Sequence, residues 1–77
     1  MFGDINKMRD PERLNDFYKE LKELHQLYFP DWRFMQMMSN FMSWHYNTYK
    51  TDGFYIEENK FLERFRRFIK EMTLMEV

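Results

Sequence analysis

The segment from about residue 32 to residue 50 restricts the fold more than any other part of the chain. As a helix, at roughly 100° per residue, its large apolar side chains cover about 200° of the circumference and leave a polar stripe of about 120°. A helix with so wide an apolar surface needs two neighbours to cover it, so we expect it to lie at the centre of the fold. Its apolar residues are Phe34, Met35, Met37, Met38, Phe41, Met42, Trp44, Tyr46 and Tyr49.

Two further segments have the spacing of one-faced amphipathic helices. The first runs from about residue 11 to residue 28, where Asp10 and Pro11 favour a helix start and Pro30 disfavours helical geometry in the residue before it. The third runs from about residue 57 to residue 72, and its charged residues from Lys60 onwards lie outside an apolar arc of about 120°. Together with the central segment, they predict an all-α fold, a compact three-helix bundle.

The connections between these helices are short. Asp31 is a favourable N-cap for the second helix. Thr51, Asp52 and Gly53 predict a turn, in which Gly53 is free to adopt a positive φ. Residues 54–56 are β-prone but too few to build a sheet, so they predict a short extended link whose rings fold back onto the core.

Length and composition limit the possible classes of function. A chain of 77 residues forms one small domain at most, and residues 1–9 and 73–77 are expected to be loosely ordered. The lack of cysteine excludes disulfides, thiolate nucleophiles and sulfur metal ligands. A net charge of −1 gives no overall field that attracts nucleic acid or anionic lipid. Because neither a membrane-spanning apolar run nor a signal peptide is evident, we expect a cytoplasmic protein without a membrane partner.

Three short motifs run along the chain. Residues 9–13 read Arg-Asp-Pro-Glu-Arg, residues 30–40 fit P-D-x-R-x-x-Q-x-x-x-N, and residues 52–58 read Asp-Gly-Phe-Tyr-Ile-Glu-Glu. These motifs resemble those of a group of short uncharacterised bacterial and phage proteins, in which proline more usually stands where this chain has Gly53. The resemblance covers about residues 9–72 and implies a small helical cytoplasmic protein. The group has no established activity, so the resemblance implies no catalytic or binding residue.

The polar stripe of the second helix is a candidate partner-binding surface. It is uncharged apart from its first residue, whereas exposed helix faces usually carry Glu, Lys and Arg. Amides both donate and accept hydrogen bonds, so the stripe suits a peptide backbone, base edges or its own copy in a dimer, the alternative being a merely solvated face. The polar residues of the segment are Arg33, Gln36, Ser39, Asn40, Ser43, Asn47 and Lys50. Gln36, Asn40, Ser43 and Asn47 form one line along the helix, and with Arg33 before them they are what we call the polar stripe.

The edge of the apolar arc beside the polar stripe is where leftover apolar surface is expected. Met37 and Trp44 lie at that edge, and an exposed tryptophan flanked by methionine is typical of a binding hot spot. The cluster of four methionines at positions 35, 37, 38 and 42 has two interpretations, an adaptable binding surface or core filling. The core interpretation is favoured.

The third helix carries a basic face, which is a second candidate surface. Such faces neutralise phosphates in nucleic-acid binders or dock on acidic proteins. Two acids interrupt this one and no nucleic-acid-binding motif accompanies it, so a solvated charged face is the favoured interpretation. The basic residues of the third helix are Lys60, Arg64, Arg66, Arg67 and Lys70, and the last four are what we call the basic face.

Catalytic and metal sites are not evident in the sequence. His25 and His45 lie on apolar helix faces, where hydrogen-bonded structural histidines are favoured over a metal pair or a pH switch. Ser39 and Ser43 lie within a helix without a glycine-framed nucleophile elbow, and no phosphate-binding loop is present. We therefore expect neither an enzyme nor a cofactor, a metal or a small-molecule substrate.

The surplus of apolar residues predicts a protein–protein interaction module. Nine phenylalanines, five tyrosines and two tryptophans exceed what two one-faced helices readily cover. A homodimer through the edge of the second helix and Phe54-Tyr55 would bury the remainder and stabilise a small core. One alternative is a phage or mobile-element accessory protein that binds and modulates a host target. The other is a weak nucleic-acid binder that uses the basic face.

Overall fold

Three α-helices make up most of the residues that the structure, a computed structural model, describes, which are residues 10–75. Helix α1 spans Arg13–Tyr28, α2 spans Phe34–Tyr49 and α3 spans Glu58–Met75. The predicted all-α bundle is therefore confirmed, with starts one or two residues later than expected. Helix α3 continues to Met75, beyond its expected end near residue 72, and loose order at residues 73–75 stays a prediction. The same expectation for residues 1–9 and 76–77 lies outside the described residues.

The start of α1 follows from the side chain of Asp10. Its Oδ1 atom accepts the backbone N–H of Glu12 at 3.0 Å, and its carbonyl oxygen accepts the N–H of Arg13 at 3.1 Å. The carboxylate thus satisfies an amide of the turn that precedes α1, whereas the N-cap residue of the helix is Glu12, whose side chain makes no capping hydrogen bond. The chain makes one tight turn through Pro11 before regular α-helix begins at Arg13.

A tight turn, rather than an N-cap, explains Asp31. The N–H of Trp32 donates to the carbonyl of Phe29 at 3.1 Å, which places Pro30 and Asp31 at the two central turn positions that suit them. The Phe29 ring is buried and stacks on Trp32 with 4.3 Å between ring centroids. Helix α2 starts only after Arg33, whose backbone is extended and whose side chain makes no capping hydrogen bond.

The connection between α2 and α3 is a pair of turns. Lys50 ends α2 in the left-handed region with φ +62°, and Gly53 has φ +82°, as predicted for the glycine. The N–H of Ile56 donates to the carbonyl of Gly53 at 3.3 Å, so residues 54–56 are not an extended link. Phe54 and Tyr55 lie at the corners of this turn and are 75% and 94% exposed, so their rings do not fold back onto the core.

Helix α3, not α2, is central in the bundle. It packs against both other helices, whereas the Cα atoms of α1 and α2 stay more than 8 Å apart. Its apolar residues pack against the other two helices, and the side chains of Phe65 and Phe68 are almost completely inaccessible to solvent. Phe41 of α2 contacts Phe65 and Phe68 with ring centroids 5.3 and 5.6 Å apart, and Leu21 of α1 joins the same buried cluster. The prediction that the second helix is the centre is therefore wrong.

Candidate functional site

Helix α2 is free of charged side chains over its whole length. Its sixteen residues include no Asp, Glu, Lys or Arg, in a chain of which 32% of residues are charged. One side of the helix packs on the core through Met37, Phe41 and His45. The other side faces outward and therefore exposes only apolar and neutral polar groups.

A row of apolar side chains runs along the outward side of α2. Met35 is 73% exposed and Tyr46 is 57% exposed, and Met42 between them is also exposed. With Met38, which is half-buried, they form what we call the apolar stripe. Ser39, Ser43 and Asn47 lie beside it, and the seven residues together line a shallow depression of about 510 Å³. Ser39 and Ser43 are the smallest of these lining residues.

The leftover apolar surface lies on the opposite edge of α2 from the one predicted. Met37 is fully buried, so it contributes nothing to an exposed surface. Trp44 is half-buried against the rings of Phe41 and Phe68, and its indole N–H donates to Glu71 at 2.7 Å. Met37 is therefore not available to a partner, whereas Trp44 attaches α2 to α3 and keeps part of its surface exposed, so its role as a hot spot stays a prediction. Of the clustered methionines, Met37 is therefore buried in the core and Met35 is exposed to solvent.

The polar stripe is an open surface. All five of its members are exposed, and their side chains hydrogen-bond to none of the residues from 10 to 74. It borders the apolar stripe along Ser39 and Ser43, so the outward side of α2 carries no charge beyond that of Arg33, which precedes the helix. Whether the polar stripe binds a partner stays a prediction.

The loop turn at residues 53–56 extends this surface. Phe54 and Ile56 line a second cavity of about 260 Å³ together with Met38 and Met42 of the apolar stripe. Phe17 of α1 lies in the same cavity and contacts the core through Phe61. Met38 and Met42 of the apolar stripe therefore adjoin Phe54 and Ile56 of the turn, whereas Phe34, which is also exposed, lines a separate depression with Tyr18.

His45 is a structural histidine with a fixed tautomer. Its Nε2 atom lies 2.8 Å from the Arg64 guanidinium, and its Nδ1 atom lies 2.8 Å from the carbonyl oxygen of Thr51. Because a guanidinium only donates, Nε2 accepts and Nδ1 carries the hydrogen that it donates to Thr51. His25 likewise bonds the Trp32 carbonyl at 2.8 Å. Both histidines are hydrogen-bonded, as predicted, and no three acidic or histidine side chains between residues 10 and 74 are grouped to hold a metal ion.

Arginines of α3 and aromatic residues of α2 form a polar network along one side of the bundle. The Arg64 guanidinium lies 3.9 Å above the Tyr49 ring. Arg67 donates to the Tyr49 hydroxyl at 3.1 Å and to Glu71 at 2.9 Å. The pKa of Glu71 is lowered, first by the hydrogen bond from the Trp44 indole and second by that from Arg67. The hydrogen bonds to Tyr49 and Glu71 in turn raise the pKa of Arg67.

The basic face predicted on α3 is divided between the two neighbouring helices. Arg64 and Arg67 are held against α2 by the network just described, whereas Arg66 forms an ion pair with Glu20 of α1. Lys70 is exposed and pairs with none of the described residues. Three of the four cations therefore have partners within the chain, which leaves little free charge to neutralise phosphates.

No protein-family model, curated protein or solved structure matches this chain. Among the described residues, no helix combines the length and the apolar character that crossing a membrane requires.

Proposed function

We propose that the protein is a non-enzymatic interaction module that associates with itself through the outward side of α2. The observation that carries the proposal is the exposure of Met35, Met42 and Tyr46 on a helix without a single charged residue. Centres of protein interfaces are depleted in charge and enriched in Met and Tyr. Exposed apolar patches of this kind mark interaction surfaces in small proteins.

A second copy fits this surface better than a charged partner does. In a two-fold dimer the same surface of each copy meets itself, so a charge near the axis faces an identical charge. Helix α2 avoids that repulsion because its nearest charged residues, Arg33 and Lys50, lie just beyond its two ends. The remaining exposed groups are amides and hydroxyls, which donate and accept and therefore pair with their own kind.

Sedimentation equilibrium of the wild type and one charged variant tests the proposal. We expect the wild type to be a dimer at about 100 μM and Met35→Glu to be a folded monomer, because a carboxylate would be buried against apolar groups. Asn15→Glu is the matched control: it adds one negative charge at an exposed position of α1 and should leave the dimer intact. A folded wild-type monomer at that concentration would contradict self-association.

The same surface is the place to look for a host protein if the chain proves monomeric. The polar stripe is exposed and its side chains are unpartnered within the described residues, which favours this second function over nucleic-acid binding. The double variant Asn40→Lys, Asn47→Lys introduces two charges there without touching the core. If wild-type protein retains one stoichiometric partner from a bacterial lysate and this variant does not, the module binds a host target through the polar stripe.

A further inference from the structure

We infer that two copies meet through an antiparallel contact between their α2 helices, in which Met35 of each copy packs against Tyr46 of the other and Met42 of each lies over Ser39 of the other. This inference rests on the proposed self-association and specifies its geometry. It is drawn from the spacing, the shape and the charges of the outward side of α2.

The spacing along α2 reads the same from both ends. Met35, Ser39, Met42 and Tyr46 follow one another at intervals of four, three and four residues. Side chains at these intervals form one line along a helix and the seam of a helix pair. The order of these intervals is symmetric. When a second α2 helix lies antiparallel to the first, the two seams therefore match, with Met35 of one copy beside Tyr46 of the other and Ser39 beside Met42.

The shape of the seam favours the antiparallel arrangement over the parallel one. Ser39 is the one small residue of the seam, and it lies in the depression of about 510 Å³ between larger neighbours. In the antiparallel pair the Met42 side chain of one copy enters this depression in the other. In a parallel pair Ser39 would face Ser39 across a void while Tyr46 crowded against Tyr46, and packed interiors tolerate neither voids nor overlap well.

The charges at the two ends of α2 agree with the same arrangement. Asp31 and Arg33 precede α2 and Lys50 follows it, so the antiparallel pair brings the partner's Lys50 to an end that carries one acid and one base. A parallel pair would set Asp31 against Asp31 and Lys50 against Lys50. The polar stripe lies along one flank of the seam, and in the antiparallel pair it meets its own copy, which amides tolerate and charges do not.

Disulfide trapping tests this geometry directly, because the chain has no cysteine of its own. Met35→Cys and Tyr46→Cys are prepared separately, and each is exposed to air oxidation alone and mixed with the other. Positions 35 and 46 are about 16 Å apart along a helix, and a disulfide needs Cα atoms within about 7 Å. We expect a mixed 35–46 disulfide in the mixture, at least tenfold above the disulfide in either variant alone. Asn15→Cys mixed with Tyr46→Cys should give none.

Each result distinguishes the geometry from the proposed function. Disulfides between identical positions in the single variants would overturn the antiparallel register and leave self-association standing. A wild-type monomer in sedimentation would overturn both. The reduced variants are sedimented first, and if either fails to dimerise, the milder pair Ser39→Cys and Met42→Cys replaces them. Reduced variants that dimerise but give no mixed disulfide at either pair overturn the register.

Discussion

Gly53 lies directly against the ring of His45, and this close approach defines its role. Its φ of +82° belongs to the left-handed region, which side chains with a Cβ rarely adopt. A Cβ added at Gly53 would lie 3.0 Å from the Cε1 atom of His45. The ring has little room to move, because both of its nitrogen atoms are hydrogen-bonded. Backbone conformation and packing therefore both require glycine at this position.

Gly53→Ala is expected to destabilise the fold by about 1–3 kcal/mol, since it adds left-handed strain and a contact with the His45 ring. Lys50→Gly is the matched comparison: Lys50 also has a positive φ, of +62°, but it has a Cβ already. Glycine there should relieve strain and stabilise the fold by about 1 kcal/mol. Urea unfolding followed by circular dichroism measures both. Equal effects of the same sign at the two positions would contradict the explanation.

Gly53 and Lys50, which both have a positive φ, also show which local conformations can be predicted from the sequence. The Asp-Gly pair predicted the turn and the positive φ of Gly53, because glycine is the residue that pays no steric penalty there. Lys50 carries no such signal, since its conformation follows from the end of α2 and not from its side chain. The exposure of Phe54 and Tyr55 was missed for a similar reason: the hydrogen bond from Ile56 to Gly53 turns the chain before their rings reach the core.

At the scale of the helices, the width of an apolar arc gives the largest apolar surface that a helix can bury. It does not give the surface that the helix buries in the fold. The wide arc of α2 predicted a central position, yet only the side with Met37 and Phe41 packs inward. The narrower arc of α3 is buried almost completely, because its rings fill the space between α1 and α2. The lack of charge from Phe34 to Tyr49 was the signal for an unusual outer face, and it was available in the sequence.

Helix α2 is attached to α3 by polar as well as apolar contacts, and Glu71 is central to them. One of its carboxylate oxygens accepts the Trp44 indole N–H, and the other accepts the Arg67 guanidinium. Both bonds favour the charged form, so the folded protein has a Glu71 pKa below the ordinary value of 4.5. This linkage contributes stability above pH 4.5 and loses it as the pH falls through the lowered pKa.

Glu71→Gln should therefore unfold at a lower urea concentration than the wild type at pH 7 and should lose less stability on acidification. Trp44→Phe removes the larger cause of the lowered pKa while keeping an aromatic ring, and it should also weaken the dependence on pH below about 4.5. Urea midpoints measured from pH 7 to pH 2.5 give the stability of each variant at pH 7 and its dependence on pH. A wild-type dependence on pH that survives unchanged in both variants would show that Glu71 does not contribute to it.

At the scale of the whole molecule, folding and association are expected to be coupled. The core is assembled around α3, and the outward side of α2 remains apolar and uncharged beside the exposed Phe54 and Tyr55. A single small core contributes only about 3–5 kcal/mol of net stability. An interface that covers the apolar stripe adds to that stability, because a partner that binds only the folded chain shifts the folding equilibrium.

The thermal midpoint should consequently rise with protein concentration. For a dimer that unfolds to separated chains, a tenfold increase in protein concentration raises the free energy of unfolding by about 1.4 kcal/mol per dimer, or roughly half of that per chain. Since 1 kcal/mol shifts the midpoint of a domain this size by about 4–8 °C, we expect about 3–6 °C per tenfold step. Calorimetry on Ser39→Glu should show no such dependence, because a carboxylate at the seam separates the copies, whereas Asn15→Glu should keep it. A wild-type midpoint that does not change with concentration would mean that each copy folds without the other.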